Sequence, residues 1–313
     1  MPILSETLFH RSQRNDYLIV SATFPLYLLG IGRYGWRLGV LLLISCTLGF
    51  LLEEGARRIQ KDGERSYGLA AWFLLPLVFP PALPLLQASM AIFFALMFTV
   101  VFFGGHGRAI VSPVAFGWSF ASLSFAQAFG YGYVYPFSGV FTGFSHWAAG
   151  LPTVDNPYIL FTAGTPGLAS ALFRGEFPQS SGGAYPLVII FLGTLLLLLR
   201  AVDFRIFLSF IISYLVVFFL VDLALPGLSG GLVDLLMGNT LLTTFFILPD
   251  QRTISRTFQG RWITGIIAGI AGALIRLFSA FPDGILYAVL LAGIFTGIVD
   301  HAVLQKLFTK EKV

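Results

Sequence analysis

The residues with the clearest chemical potential lie in one loop and two helix breaks. Phe161-Thr162-Ala163-Gly164-Thr165-Pro166-Gly167 is a small-residue turn that carries two hydroxyls. Gly164 and Gly167 beside Pro166 give it a bent, flexible backbone that exposes the hydroxyls, as a plain turn would too. Upstream, an aromatic run from Phe129 to Trp147 holds Tyr131, Tyr133, Tyr135, Phe137, Phe141 and Phe144. Such rings can stack on a planar cofactor or form an interfacial belt at headgroup level. The breaks are Gly104 to Pro113 and Pro226 to Asn239. Asp222 and Asp234 flank Pro226. A carboxylate just inside a membrane is costly unless paired or wet, so Asp234 and Asn239 are candidates for an ion or proton path. Helix capping is the competing account of Asp234, and Asp283, after Pro282, reads as an N-cap. His106 could titrate or serve as a hydrogen-bonded structural group.

What must hold these residues is helix embedded in lipid. Of 313 residues, 57% are hydrophobic and 11% charged, and the mean hydropathy is +0.85, outside the range of a soluble globular domain. A crossing helix needs about 20 apolar residues, and such runs recur along the chain with no soluble domain between them. The expected fold is an all-α polytopic membrane protein, a single integral membrane domain over residues 1–313 with ten transmembrane helices. Helices 1–5 occupy about 17–128, an extracytoplasmic loop about 129–184, helices 6–10 about 185–300, and a cytoplasmic tail 301–313. The first helix is expected from about Tyr17 to Ile31, kinked at Pro25, with Gly32-Arg33-Tyr34-Gly35 as a tight turn. Arg11 and Arg14 before an apolar stretch resemble a secretory signal, but small-x-small cleavage chemistry is absent, so this reads as an uncleaved first helix.

The charges test the count. With a cytoplasmic N-terminus, 15 of the 19 Lys and Arg fall on cytoplasmic segments, and only Arg33, Arg37, Arg174 and Arg276 on the opposite face. That is a strong positive-inside bias, which an odd number of helices would scramble. Both termini are therefore expected in the cytoplasm, and the two five-helix halves run in opposite orientations, as in inverted-repeat membrane proteins. The halves share no convincing sequence identity. The same charges account for the net +4 without a nucleic-acid partner, since they sit in short loops rather than a stripe. Glu53 to Arg65 and Pro249 to Arg261 read as solvated loops that set orientation or dock a cytoplasmic partner. The single Cys46 excludes an intrachain disulfide and a cysteine metal or iron-sulfur site. No phosphate-binding glycine loop, dinucleotide fingerprint or hydrolase triad is present, so no catalytic residue and no metal site is assigned.

Several stretches resemble a known family. Phe103-Gly104-Gly105-His106-Gly107, followed by Ser112-Pro113 and Gly117, looks like the glycine-rich break of the RnfD/NqrB family of the Rnf and Nqr complexes. Arg200-x-x-Asp203-Phe204-Arg205-Ile206 is similar to that family's turn between helices 6 and 7. The fullest match runs through Phe245-Phe246, Asp250, Thr253, Gly260-Arg261 and Arg276 to Phe281-Pro282-Asp283-Gly284, Ala288-Val289-Leu290-Leu291 and Asp300. The resemblance implies a membrane subunit of a redox-driven sodium or proton pump, passing electrons between ferredoxin or NADH and NAD or quinone in the bacterial inner membrane. It further implies FMN joined by a phosphoester to Thr165, within a motif that includes Thr162 and Gly164. Gly104, Gly105 and Gly107 become cofactor-binding positions, and the resemblance allows a second, non-covalent flavin in the chain. The implied partners are the other membrane, flavin and iron-sulfur subunits of such a complex, within a lipid bilayer.

The sequence also departs from the family. Ala163 and Gly164 are exchanged within the motif, no Asp directly precedes it, and Ala109, Ser112 and Gly183 replace two asparagines and a glutamate, as in a divergent paralogue. Two other classes stay open on the residues alone: a non-redox channel or transporter of inverted-repeat type, and a flavin-free scaffold subunit.

Overall fold

Helix along this chain runs through single prolines and glycines such as Pro25 and Gly265, and the breaks fall where several of them gather. The computed structural model describes residues 2–60, 67–103, 109–139, 141–147, 153–154, 157, 167–224, 232–250, 252–279, 281 and 283–310. Helix α1 is Pro2–Tyr34, α2 Arg37–Gln60, α3 Leu69–Val78 and α4 Leu85–Leu96, which runs on into a π turn at Met97–Val101. Then come α5 (Pro113–Ser124) and α6 (Ala126–Gly130). The segment that follows is mostly irregular in its described residues. It contains a two-stranded antiparallel ribbon that pairs Tyr133–Val134 with Thr153–Val154, and the short helix α7 (Leu168–Arg174). The second half has α8 (Pro186–Leu198), α9 (Phe204–Ala224), α10 (Leu232–Leu235), α11 (Thr240–Leu242) with a π turn at Thr243–Ile247, α12 (Phe258–Phe278) and α13 (Ile285–Lys310).

Among the described residues, four helices are long and apolar enough to cross a membrane, at Arg37–Arg58, Phe204–Ala224, Phe258–Phe278 and Ile285–Gln305. Three more apolar helices are shorter, at Leu69–Val78, Leu85–Val101 and Pro186–Leu198. The chain is a mostly helical, multi-pass membrane protein. Helix α1 differs from expectation at both ends. It starts at Pro2 and passes through Pro25, because no proline or glycine lies between Pro2 and Phe24 to stop it. The turn after it is made by Gly35 alone, at φ +100°.

Packing is closest along α9, α12 and α13. On α12, Gly265 and Gly269 let α9 approach so tightly that a methyl group would meet Ser209 and Ile206 O in one case, and Ser213 and Phe210 O in the other. Close approach of this kind is how helices associate where no hydrophobic driving force separates protein from lipid. Helix α2 packs on α3 and α4, α4 on α5, α5 on α13, and α1 on α8. Seventeen positions of α1 separate Asp16 from Arg33, roughly 26 Å at 1.5 Å per residue. These two residues belong to two separate polar clusters.

Candidate functional site

The first cluster forms where the loop side of the bundle meets the break between α10 and α11. Gly238, at φ +64°, turns the chain there, and any side chain at that position would run into the Asp283 carboxylate. Its amide donates to Gln179 Oε1 at 2.9 Å. The next residue, Asn239, is fully used. Its amide N–H donates to Asp283 Oδ1 at 2.6 Å, its Nδ2 to Asp283 Oδ2 at 3.1 Å and to Val78 O at 3.0 Å, and its Oδ1 accepts from Ser180 Oγ at 2.6 Å. Tyr133, on the ribbon strand, donates its hydroxyl to Asp283 Oδ2 at 3.1 Å. One fully buried carboxylate thus joins the loop ribbon, the helix break and, through Asn239, the end of α3 and the segment before α8.

Beside it, Arg276 at the end of α12 donates from Nε to Asp234 Oδ1 at 2.7 Å and from Nη1 to Thr240 Oγ1 at 2.9 Å. Both members of the Asp234–Arg276 pair are wholly enclosed. Asp283 is therefore no helix cap: its carboxylate faces Asn239 and Tyr133. The Asp234 carboxylate likewise goes to Arg276, so ion pairing supplies the partner that capping was expected to supply. At the same end, buried Arg33 donates to Tyr185 Oη at 2.6 Å and to the carbonyls of Phe137 and Arg174 at 2.7 and 2.8 Å. A guanidinium pins the loop to α1 and α8 in this way.

The second cluster gathers the middle of α1, the α8–α9 turn and the connector before α12. Asp16 pairs with Arg252, whose own amide donates to Asp250 Oδ1 at 3.2 Å. Arg261 pairs with Asp203, and the Arg205 guanidinium lies 3.9 Å from the Phe258 ring centre. Asp300 accepts from the amides of Arg256 and Thr257 at 2.9 and 3.1 Å, from Thr257 Oγ1 at 2.7 Å and from Ser255 Oγ. The connector expected as a solvated loop is thus folded inward, with Arg252 enclosed and Ser255 fully buried. Glu53, expected to open another solvated loop, is buried too and accepts from Gly68 N and Trp72 Nε1, both at 3.0 Å.

Of the positions singled out in the sequence, Asp234 and Asn239 come together in the first cluster. Thr162, Gly164 and Thr165, and Gly104, Gly105, His106 and Gly107, lie outside the described residues. Among the described residues, no group of three or more His, Cys, Asp or Glu is arranged to hold a metal ion. Sequence reasoning missed the inward positions of Arg33, Arg252 and Arg276. A signal existed only for Arg276, which closes a helix whose one face carries Gly265, Gly269 and Gly272.

Apolar helices around two inward-facing polar clusters define an integral membrane protein whose charges are spent on helix junctions. Within that class, the chain belongs to the NQR2, RnfD, RnfE family, whose model matches residues 9–309. It is 28% identical over 302 residues to a subunit of the ion-translocating oxidoreductase complex from Vibrio cholerae, covering 86% of each chain. With the same-named protein of Escherichia coli it shares 26% over 336 residues, 96% of each. Identity is 27% over 248 residues to a subunit of the Na(+)-translocating NADH-quinone reductase from Klebsiella pneumoniae, 76% of this chain and 60% of that protein. The chain thus spans about 60% of the length of the quinone-reductase relatives it matches.

Proposed function

We propose that the chain is the membrane subunit of an ion-translocating electron-transfer complex in a bacterial cytoplasmic membrane. It would couple electron flow between ferredoxin or NADH and NAD or a quinone to the movement of Na+ or H+. The observation that carries this reading is the family match over residues 9–309. Its partners are then flavin and iron-sulfur subunits of the same complex.

The arrangement within it is ten spans in two inverted halves, with both termini in the cytoplasm. Helix contacts support this. In the first half α2 packs on α4 and α4 on α5, in the second α9 packs on α12 and α12 on α13, while α1 meets α8 and α5 meets α13. A pseudo-two-fold axis in the membrane plane would relate these pairs. Residues assigned to one face by charge also touch one another: Asp16 with Arg252 and Asp203 with Arg261 on one side, Arg33 with the Arg174 carbonyl on the other.

FMN on Thr165, beside Thr162 and Gly164, belongs to the same proposal. What supports it structurally is the flank: Gly167 adopts φ +78° and Gly167, Ala169 and Ser170 are exposed, which suits a hydroxyl that an attaching enzyme must reach. When bound, the flavin supplies the electron-carrying chemistry, and the chain supplies its position and electrostatic setting. At the other break, Ser112 and Pro113 border a recess sized for water rather than a ring system. Gly104, Gly105 and Gly107 lie outside the described residues, and cofactor binding there, like a second, non-covalent flavin, belongs to the proposal as well.

Denaturing electrophoresis under ultraviolet light tests the flavin. A fluorescent band in the wild type that disappears in Thr165→Ala is the expected result. A colourless wild-type band removes the covalent flavin and leaves a scaffold or a channel. Ion flux through vesicles holding this chain alone, with no redox partner, would favour the channel.

A further inference from the structure

Two adjoining recesses open beside the middle of α1. The first is bordered by Asp16, Ser112, Phe246 and Asp250, the second by Asn15, Asp16, Asp250 and Arg252. They share both carboxylates. Their sizes are telling: the first offers about 20 Å³ to the centre of a water molecule and the second about 10 Å³, against the ~10–15 Å³ that one buried water needs. Asn15 supplies the independent pointer. It is 4% exposed and lines the second recess, yet among the described residues neither its Nδ2 nor its Oδ1 has a hydrogen-bond partner. A buried carboxamide whose hydrogen bonds are unmade is costly, and a water seated against it removes that cost.

We propose that the twin recess binds a short hydrogen-bonded chain of water, anchored by Asn15 and reaching toward Ser112, and that Asp16 exchanges a proton with it. The step is a simple transfer. A hydronium in the recess gives its proton to one Asp16 carboxylate oxygen, leaving water and a neutral carboxyl, and the reverse step returns it. Arg252, in contact with Asp16, makes the recess a poor host for a metal cation and a good one for neutral water. Among the described residues, the charged groups facing Asp16 are Arg252 and Asp250 from the connector, while Ser112 of α5 and Asn15 of α1 add only dipoles. Glu53 of α2 lies within electrostatic range of Arg252. Burial pushes the Asp16 carboxyl up to about 6, with Arg252 opposing the rise and Asp250 adding to it, which places the exchange at physiological acidity. Neither flavin nor partner subunit enters, so the proposal and the redox reading can fail separately.

Infrared difference spectra of the full chain in lipid, recorded between pH 8 and pH 5, test it. A carboxylic-acid carbonyl band should grow in with a midpoint near pH 6 and be absent in Asp16→Asn. In Asn15→Leu, which fills the recess, the water O–H bands should disappear and the midpoint should move to a proton concentration at least tenfold lower. Carbon-13 labelling of aspartate in the wild type identifies the band even if a variant fails to fold. A wild type without an aspartic-acid band titrating in this range overturns the proposal, as does an Asn15→Leu protein with unchanged water bands. A band that responds to Na+ at fixed pH, and not to pH at fixed Na+, overturns it in favour of a cation site.

Discussion

The Tyr133 hydroxyl donates to the Asp283 carboxylate at 3.1 Å across 150 positions of sequence. This contact ties the loop ribbon to the turn before α13, and the same carboxylate holds the helix break through Asn239. In the functional reading, the loop that carries the flavin and the break that flanks the ion path therefore share one anchor.

Removing that anchor has a graded cost. Tyr133→Phe deletes one hydrogen bond, and we expect a loss of about 1–2 kcal/mol. Asp283→Ala strands the Asn239 donors and the tyrosine hydroxyl together, and we expect about 3–5 kcal/mol. Thermal unfolding in detergent reads both, and equal melting temperatures for the two variants would refute the shared anchor.

The Asp234–Arg276 pair should behave as a unit. A single Asp234→Ala leaves an enclosed guanidinium without its carboxylate and should cost about 3–5 kcal/mol. The double replacement Asp234→Leu with Arg276→Met should recover most of that loss, because well-packed apolar groups avoid the desolvation of two charges. A double-mutant cycle with no coupling would show that the pair is structurally idle.

Glycines on α12 and α13 offer a paired control for packing. Gly269→Val must push aside Phe210 O, 2.7 Å from the position of a new Cβ, as well as Ser213, so the yield of folded protein should collapse. Gly297→Ala meets nothing within 4 Å and should leave yield unchanged or slightly raised, since alanine favours helix by about 1 kcal/mol. Size-exclusion profiles of the two variants decide it, and matching profiles would contradict the tight α9–α12 contact.

Asp16 should impose a pH dependence on stability. Its carboxyl titrates at about 6 in the fold, against 3.8 ordinarily, so between those values the folded chain holds a proton that the unfolded chain has released. Stability therefore falls as pH rises through this window and levels off above it. The full swing is about 3 kcal/mol at most, at 1.36 kcal/mol per unit. Melting temperatures of the wild type relative to Asp16→Asn should decline from pH 4 to pH 6 and then run flat. A difference that climbs over the same range would mean that the Arg252 contact outweighs burial.

What could be read from the sequence was whatever depends on neighbours along the chain. Hydropathy over about 20 residues identified the membrane class and the apolar runs. Proline and glycine marked a break from Pro226 to Asn239, whose described part turns at Gly238, and the ordered motifs from Phe103 to Asp300 identified the family later matched over residues 9–309. The π turns at Met97–Val101 and Thr243–Ile247 left no such mark, being one-residue changes in hydrogen-bond register inside otherwise ordinary helix.

Only the tertiary structure decided where the charges go. Asp234 and Arg276 stand 42 residues apart, Tyr133 and Asp283 150, and Asp16 and Arg252 236. Counted by position, Arg276 and Arg33 belonged to one membrane face and Arg252 to a solvated loop, yet all three turn inward. A buried charge is held by whichever opposite charge or carbonyl the packing brings within hydrogen-bond reach, and helices laid side by side bring together residues that the linear order keeps apart.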